Sequence, residues 1–328
     1  MSRRTLLLIA RGVTSLGLFA VLAYILDPRD VSARLMDLDP AWVVIALVVS
    51  IAQVVGSAWR WRFTASRLNL DLPMRRAVTE YYLATFLNQV LPGGVMGDVS
   101  RAWRHAREAD TRASIQSVAF ERMSGLVVMS AVAAVSAILL LSDVSSAARA
   151  GLAFLVLGLI AWGGVSARRV RQRAEAPQLL VDVRRALLDG VALPVQLVTS
   201  TAVVASYLAV FVMAGRAVQL ETPPLLLAML AGPLLMTMLV PVTIAGWGLR
   251  EVAAAALWSA AGLSAADGVA VSVSYGLIVL VSSVPGAVVL GLTLLRSEDR
   301  DRTADPIPDG SGVPEGAGPR RESVPPEV

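Results

Sequence analysis

Asn88-Gln89-Val90-Leu91-Pro92-Gly93-Gly94-Val95-Met96-Gly97-Asp98-Val99-Ser100-Arg101 closes an apolar stretch that begins at Tyr81. Proline removes a backbone donor and glycine frees the chain where a helix would continue, so this segment does not read as one uninterrupted crossing. Broken backbone at membrane depth persists only where protein or a water-filled cavity satisfies its freed polar groups. The pattern predicts a re-entrant hairpin over 77–97 that enters and leaves on one side. A second apolar stretch, Thr222 to Leu249, contains Pro233, Pro241, Gly246 and Gly248 and runs directly into Arg250 and Glu251. It predicts a second hairpin over 222–263.

The sequence around these stretches is that of a polytopic membrane protein. Of its 328 residues 55% are hydrophobic and 16% charged, and the mean hydropathy is +0.65. The charge-free runs Val191 to Gly215 and Gly268 to Leu295 meet or exceed the roughly 20 apolar residues that cross a bilayer core. Six segments read as full crossings, at about 5–26, 41–58, 117–141, 150–167, 191–215 and 268–295. The first carries Arg11 and has some features of a signal peptide; its length favours an uncleaved span, with Arg11 snorkelling to the interface. The fold class is therefore all-α, with six transmembrane helices and two re-entrant helical hairpins.

Arginine placement sets the expected topology, because short cytoplasmic loops collect positive charge. Segments 59–76, 98–116 and 168–190 hold most of the loop arginines, among them Arg62, Arg67, Arg75, Arg76, Arg107, Arg112, Arg184 and Arg185. Putting these inside places both termini in the cytoplasm, on condition that each hairpin returns to its own side. The stretch from about Ser297 to Val328, rich in Pro, Gly and charge, is expected to be a disordered cytoplasmic tail.

The two hairpins share a pattern, Pro92, Gly97 and Arg101 against Pro241, Gly246 and Arg250, with every pair separated by the same interval. Downstream, Ser117 to Val128 matches Gly268 to Val279 at an interval two longer. Each half, about 1–146 and 150–296, then reads as span, span, hairpin, span. Three crossings per half make the second half an inverted copy of the first, an architecture in which interrupted segments mark the transport site.

Chemistry is narrowly bounded. There is no Cys, His105 is the single histidine, and every basic residue is Arg. Thiolate nucleophiles, cysteine metal sites and Schiff-base lysines are excluded, and no nucleotide-binding loop is apparent. No enzyme activity, metal, cofactor or nucleic-acid partner is expected. His105, between Arg104 and Ala106, reads as a surface residue. Asp98 reads as the N-cap of a helix with Arg101 in its first turn. A helix start plus an arginine fork suits a phosphate. Arg101 and Arg104 read equally as ordinary cytoplasmic topology signals. Arg250 lies on the arginine-poor side, which makes that account harder to apply to it. Glu121 and Arg122 enter the third span about 100° apart and serve different neighbours. Glu121 could pair with Arg101 or Arg104, relay a proton, or sit in an interfacial ion pair. Trp59-Arg60-Trp61-Arg62 reads as a headgroup anchor.

The ordered series Asn88 to Arg101, then Glu121-Arg122-Met123-Ser124-Gly125, then Pro241 to Glu251, resembles the transmembrane, flippase-like domain of lysylphosphatidylglycerol synthases, over about Met1 to Arg296. The resemblance marks Asn88, Pro92, Gly93, Gly94, Gly97, Asp98, Arg101, Glu121, Arg122, Pro241, Gly246, Gly248, Arg250 and Glu251 as substrate-site positions. It implies a cytoplasmic-membrane module that moves an anionic phospholipid or a polyprenyl-linked lipid, without the synthase domain. The alternative is a non-transporting partner that presents or regulates lipid for a separate glycosyltransferase or lipid synthase.

Overall fold

Asp39 starts the first described long helix: its Oδ1 accepts the Ala41 N–H at 2.8 Å, and Pro40 occupies the first helical position. This helix, α1, spans Pro40–Arg67 and belongs to a computed structural model that describes residues 33–91, 94–140, 177–239, 243 and 245–303, together with Gly17. The remaining described helices are α2 (Met74–Val90), α3 (Met96–Ala106), α4 (Thr111–Leu140), α5 (Gln178–Val183), α6 (Ala192–Ala217), α7 (Pro224–Met236), α8 (Leu249–Ala260), α9 (Ala265–Ser282) and α10 (Val284–Thr303). No strand occurs among the described residues. Contacts divide the chain into two units, Met1–Val289 and Leu290–Val328.

Among the described residues, four segments are long and apolar enough to cross a membrane: α1, α4, α6 and Ala265–Leu295, the last formed by α9 and the start of α10. They coincide with the expected spans at 41–58, 117–141, 191–215 and 268–295. The expected spans at 5–26 and 150–167, and the tail beyond Thr303, lie outside the described residues. Val44, Val48 and Ile51 on α1, and Val127, Val135 and Leu139 on α4, are exposed. Such outward apolar faces suit lipid rather than water as solvent.

Alpha1 and α6 lie against each other along most of their length. Thr64 accepts from Gln196 Nε2 at 2.9 Å, Arg60 Nη1 donates to Ser200 at 3.1 Å, Ser206 donates to Gln53 at 3.3 Å, and the Asp39 N–H reaches Ala217 O at 2.9 Å. As one number rises the other falls, so the helices are antiparallel. Small residues at the contact allow this close approach: Ala46 of α1 shares a core with Ala214 of α6, a Cβ on Gly56 would lie 3.8 Å from Val203, and Ser200 meets Arg60.

Both helices end in the same turn. Asn69 (φ 61°) and Gln219 (φ 59°) are left-handed. Leu70 N–H donates to Ala65 O and Leu220 N–H to Gly215 O, each at 3.0 Å. Pro73 and Pro223 then open α2 and α7 with nearly identical dihedrals, φ −58°, ψ 140° and φ −54°, ψ 138°. Each short helix is followed by a break and a second short helix. Gly94 (φ 64°) lies in the first break, and Ala245, Gly246 and Gly248 (φ 50°, 81° and 87°) lie in the second. Both expected hairpin positions are thus helix, break, helix. A Cβ on Gly97 would fall 1.9 Å from the Ala84 carbonyl oxygen, so α3 crosses α2 at backbone contact.

Two main apolar cores form, and α1 of the first half adds Ala46 to the second of them. Val54, Trp61, Leu72, Tyr81 and Val118 pack together in the first, and Phe211, Leu227, Leu234, Trp258 and Tyr275 in the second. The arginine-rich segments meet at one end of the described structure. Arg67 pairs with Asp189, Arg76 with Glu108, and Arg112 with Asp182 at 3.4 Å. Other polar contacts tie α1's start to α6's end and α9's start: Gln219 Nε2 donates to Asp37 O at 2.9 Å, and Arg34 pairs with Asp267 at 2.7 Å.

Candidate functional site

In the first half, α4 carries Glu121 into the protein interior, where it is fully buried. An ionised carboxylate there demands compensation. Two guanidiniums supply it: Arg60 of α1 pairs with Oε1, and Arg101 of α3 pairs with Oε2 at 2.6 Å. The Tyr81 hydroxyl donates to Oε1 at 3.3 Å. Arg101 is itself fully buried, with its guanidinium over the Tyr81 ring at 4.5 Å and the Trp61 ring at 4.8 Å. Aromatic faces favour a desolvated cation.

Asp98 forms the second anionic centre. Its Oδ1 accepts from Arg101 Nε at 3.0 Å and Arg122 Nη2 at 2.7 Å, and its Oδ2 accepts from Asn88 Nδ2 at 3.2 Å. Asn88 Oδ1 accepts the Gly97 N–H at 2.7 Å. The structure corrects the expected capping here. Alpha3 begins at Met96, Val95 is its cap residue, and Asp98 sits inside the first turn with its carboxylate bonded to side chains. One of the backbone donors expected to face a ligand, that of Gly97, is held by Asn88. Asn88, Gly97, Asp98, Arg101, Glu121 and Arg122 are thus brought together. Gly94 lies in the break that precedes α3, while Pro92 and Gly93 lie outside the described residues.

The second half builds a smaller cluster at the same place in its element order. Arg250, two residues into α8, is buried with Glu251. Arg250 Nη2 pairs with Glu251 Oε1 at 2.8 Å, its Nε donates to Ser272 at 2.9 Å, and Ser272 donates to Glu251 Oε1 at 2.9 Å. Glu251 Oε2 accepts the Gly248 N–H at 2.7 Å, closing that helix start. The guanidinium lies 5.1 Å from the Trp247 ring and 5.5 Å from the Tyr275 ring. Gly246 and Gly248 supply the left-handed approach, and Pro241 lies outside the described residues.

The two clusters correspond through the sequence alignment of the halves. Arg101 is the counterpart of Arg250 and Glu121 that of Ser272, and in each half the two are in contact. Gly125 and Gly276 follow four positions after Glu121 and Ser272, and each faces an arginine. A Cβ would lie 3.1 Å from Arg60 Nη2 at Gly125 and 2.3 Å from Arg250 Nη2 at Gly276. The two breaks also touch. A Cβ on Gly94 would lie 3.9 Å from the Met238 carbonyl oxygen, and Met238 Sδ lies 4.0 Å from Arg250 Nη1.

Several participants escaped the sequence reading. Arg60 and Trp61 are buried in the first cluster rather than anchoring at a headgroup layer, while Trp59 of the same run is exposed. The signal was the small polar face Ser57, Arg60, Thr64 at helical spacing. Tyr81, Trp247, Ser272 and Tyr275 were also missed as site residues. His105 is a correction: it is buried, its ring edge-on to Trp61 at 5.9 Å, instead of lying on the surface. Neither ring nitrogen has a hydrogen-bond partner among the described residues. Burial pushes its pKa below the ordinary histidine value, with nearby Arg76 adding to the shift and Glu108 opposing it. Arg104 pairs with Glu80 at 2.7 Å rather than with Glu121.

A comparison with curated proteins finds none that matches. The family model described as the lysylphosphatidylglycerol synthase TM region matches residues 8–286, covering both clusters and all four described spans but for the end of the fourth. The chain belongs to the lysylphosphatidylglycerol synthase transmembrane-region family, a membrane family related to lipid handling.

Proposed function

We propose that this protein is a lipid transporter of the cytoplasmic membrane, moving the headgroup of an anionic phospholipid or polyprenyl-linked lipid between leaflets without bond-making chemistry of its own. The observation that carries this reading is the pair of buried arginines, Arg101 and Arg250, each just past a helix break and at equivalent positions of the two halves. Ionisable residues at membrane depth are costly and mark substrate paths. Interrupted helices at corresponding positions of two halves mark the transport site.

On this account the halves form an inverted repeat, and the two breaks are re-entrant hairpins from opposite faces. Support comes from α1 and α6, which end in the same turn yet run antiparallel. Arg60 lies two helical turns, about 10 Å, before the basic end of α1. Ser272 lies two turns, again about 10 Å, after the start of α9 at the other end. The clusters therefore sit at matching depths from opposite sides and meet where Gly94 approaches Met238. With the arginine-rich end in the cytoplasm, both termini are inside. Asp98 and Glu121 hold Arg101 until a headgroup phosphate takes their place. A fork of arginine donors accepts either group with similar geometry.

The second reading is a lipid-presenting partner of a separate glycosyltransferase or lipid synthase. It is favoured by one observation: Arg250 is fully engaged within its own half. Headgroup accessibility in proteoliposomes separates the two, using labelled phosphatidylglycerol, aminoacylated phosphatidylglycerol and a polyprenyl phosphate. Transport predicts protein-dependent movement of one lipid class, lost in Arg101→Gln and Arg250→Gln. Folded protein that moves none of them supports the partner reading.

A further inference from the structure

The two clusters are equivalent in position but not in charge. In the first, three guanidiniums, Arg60, Arg101 and Arg122, face two carboxylates, Asp98 and Glu121. In the second, one guanidinium faces one carboxylate, Arg250 and Glu251. The sequence origin is simple: the counterparts of Glu121 and Arg122 are Ser272 and Val273, and the counterpart of Arg60, aligned through the matched turns at Asn69 and Gln219, is Val210. Among the described residues the first cluster thus holds one guanidinium more than it has carboxylates, and because the Arg122 side chain is partly exposed an outside anion can reach that surplus charge.

Donor capacity is left over in the same place. Arg101 Nη1 and Arg60 Nε are buried without a hydrogen-bond partner among the described residues. All three Arg250 nitrogens, by contrast, find Glu251, Ser272 or Met238. A hydroxyl ladder extends the first cluster, with Arg60 Nη1 donating to Ser200 and Ser200 donating to Ser124 at 3.2 Å. The cluster has one open side: the Arg122 side chain is 40% exposed while Arg60, Arg101 and Glu121 are nearly or wholly buried. The Arg122 neighbour Met123 and the Asp98 neighbour Val99 are exposed apolar residues. An acyl or prenyl tail has somewhere to lie beside that opening.

We infer that the first cluster alone binds the anionic group, one phosphate-bearing lipid headgroup per chain, with Arg122 receiving it at the open side and Arg60 and Arg101 neutralising it within. The Arg250 cluster is a closed structural counterpart. This rests on the lipid-transport reading for the identity of the ligand and adds the site, its stoichiometry and the three residues that hold it.

The test is equilibrium binding of a labelled short-chain phosphatidylglycerol to the full chain in neutral detergent micelles, with inorganic phosphate as competitor. One headgroup per chain is expected. Arg122→Gln, a partly exposed change, weakens binding at least tenfold. Asp98→Asn, which adds to the surplus charge, tightens it several-fold. Arg67→Gln, at the basic end and outside the cluster, leaves it within twofold. Two headgroups per chain, or weaker binding in Asp98→Asn that retains wild-type thermal stability, overturns the inference. Inorganic phosphate competing at concentrations similar to the lipid assigns the site to a soluble anion and also overturns it. Binding as expected without movement in proteoliposomes removes the transport reading and leaves the site standing. Movement with two bound headgroups does the reverse.

Discussion

Glu121 and Ser272 align in the sequences of the two halves and make the same kind of contact: each bonds the arginine that follows its half's helix break, Arg101 at 2.6 Å and Arg250 at 2.9 Å. One half makes that contact with a charge and the other with a hydroxyl. The difference accounts for much of the contrast between the clusters, since a fully buried carboxylate can hold two cations, Arg60 and Arg101, whereas Ser272 can only complete a pair already made by Glu251.

Replacing Glu121 by Gln tests that load. Two buried guanidiniums lose their shared counter-charge, and breaking a buried pair by removing one partner costs about 3–5 kcal/mol. Glu121→Gln should lower the thermal midpoint in micelles by many degrees, and Ser272→Ala by much less, since a hydroxyl hydrogen bond contributes about 1 kcal/mol. Equal losses would show that the two contacts carry equal weight.

Gly97 tests the packing of α3 on α2. A methyl there meets the backbone oxygen of Ala84 at 1.9 Å, which no rotamer change can relieve, whereas a methyl on Gly125 meets the end of the Arg60 side chain at 3.1 Å. Gly97→Ala should separate α2 from α3 and abolish a monodisperse, folded product. Gly125→Ala should remain folded, with a cost of about 1–3 kcal/mol from overpacking. Size-exclusion profiles and thermal midpoints of the two variants check the order.

His105 gives the pH dependence its sign. Its folded-state pKa is depressed by burial, so the unfolded chain binds a proton more readily below the ordinary value of 6.5. Its contribution is present above that value and is lost as pH falls toward the folded pKa. Between about pH 7.5 and 5 the wild-type midpoint should fall more than that of His105→Gln. Parallel profiles would contradict the assignment.

The sequence reading located all four described spans because charge-free apolar runs are a strong signal, yet it stopped α1 at residue 58 where the helix runs to Arg67. Arg60, Arg62 and Arg67 looked like the edge of the membrane; Arg60 is buried because Glu121, distant in sequence, neutralises it. The two helix breaks were legible from Pro and Gly. The matched turns at Asn69 and Gln219 were not, since neither is Gly and a left-handed Gln has no local signature. Asp98 was assigned to the helix cap although Arg101 lies one turn further along α3; its other partner, Arg122, is met only when α3 and α4 pack. His105 was placed at the surface by its arginine neighbours, although α3 turns it against Trp61.

The central claim is that two equivalent helix breaks enter the membrane from opposite faces and serve one lipid path. The chain contains no cysteine, so single cysteines at the exposed ends of the two hairpins, Arg107→Cys and Ala260→Cys, can be labelled without background. With a membrane-impermeant maleimide, the account predicts that position 107 reacts only from the cytoplasmic side and position 260 only from outside. Labelling of both positions from the same side would contradict it.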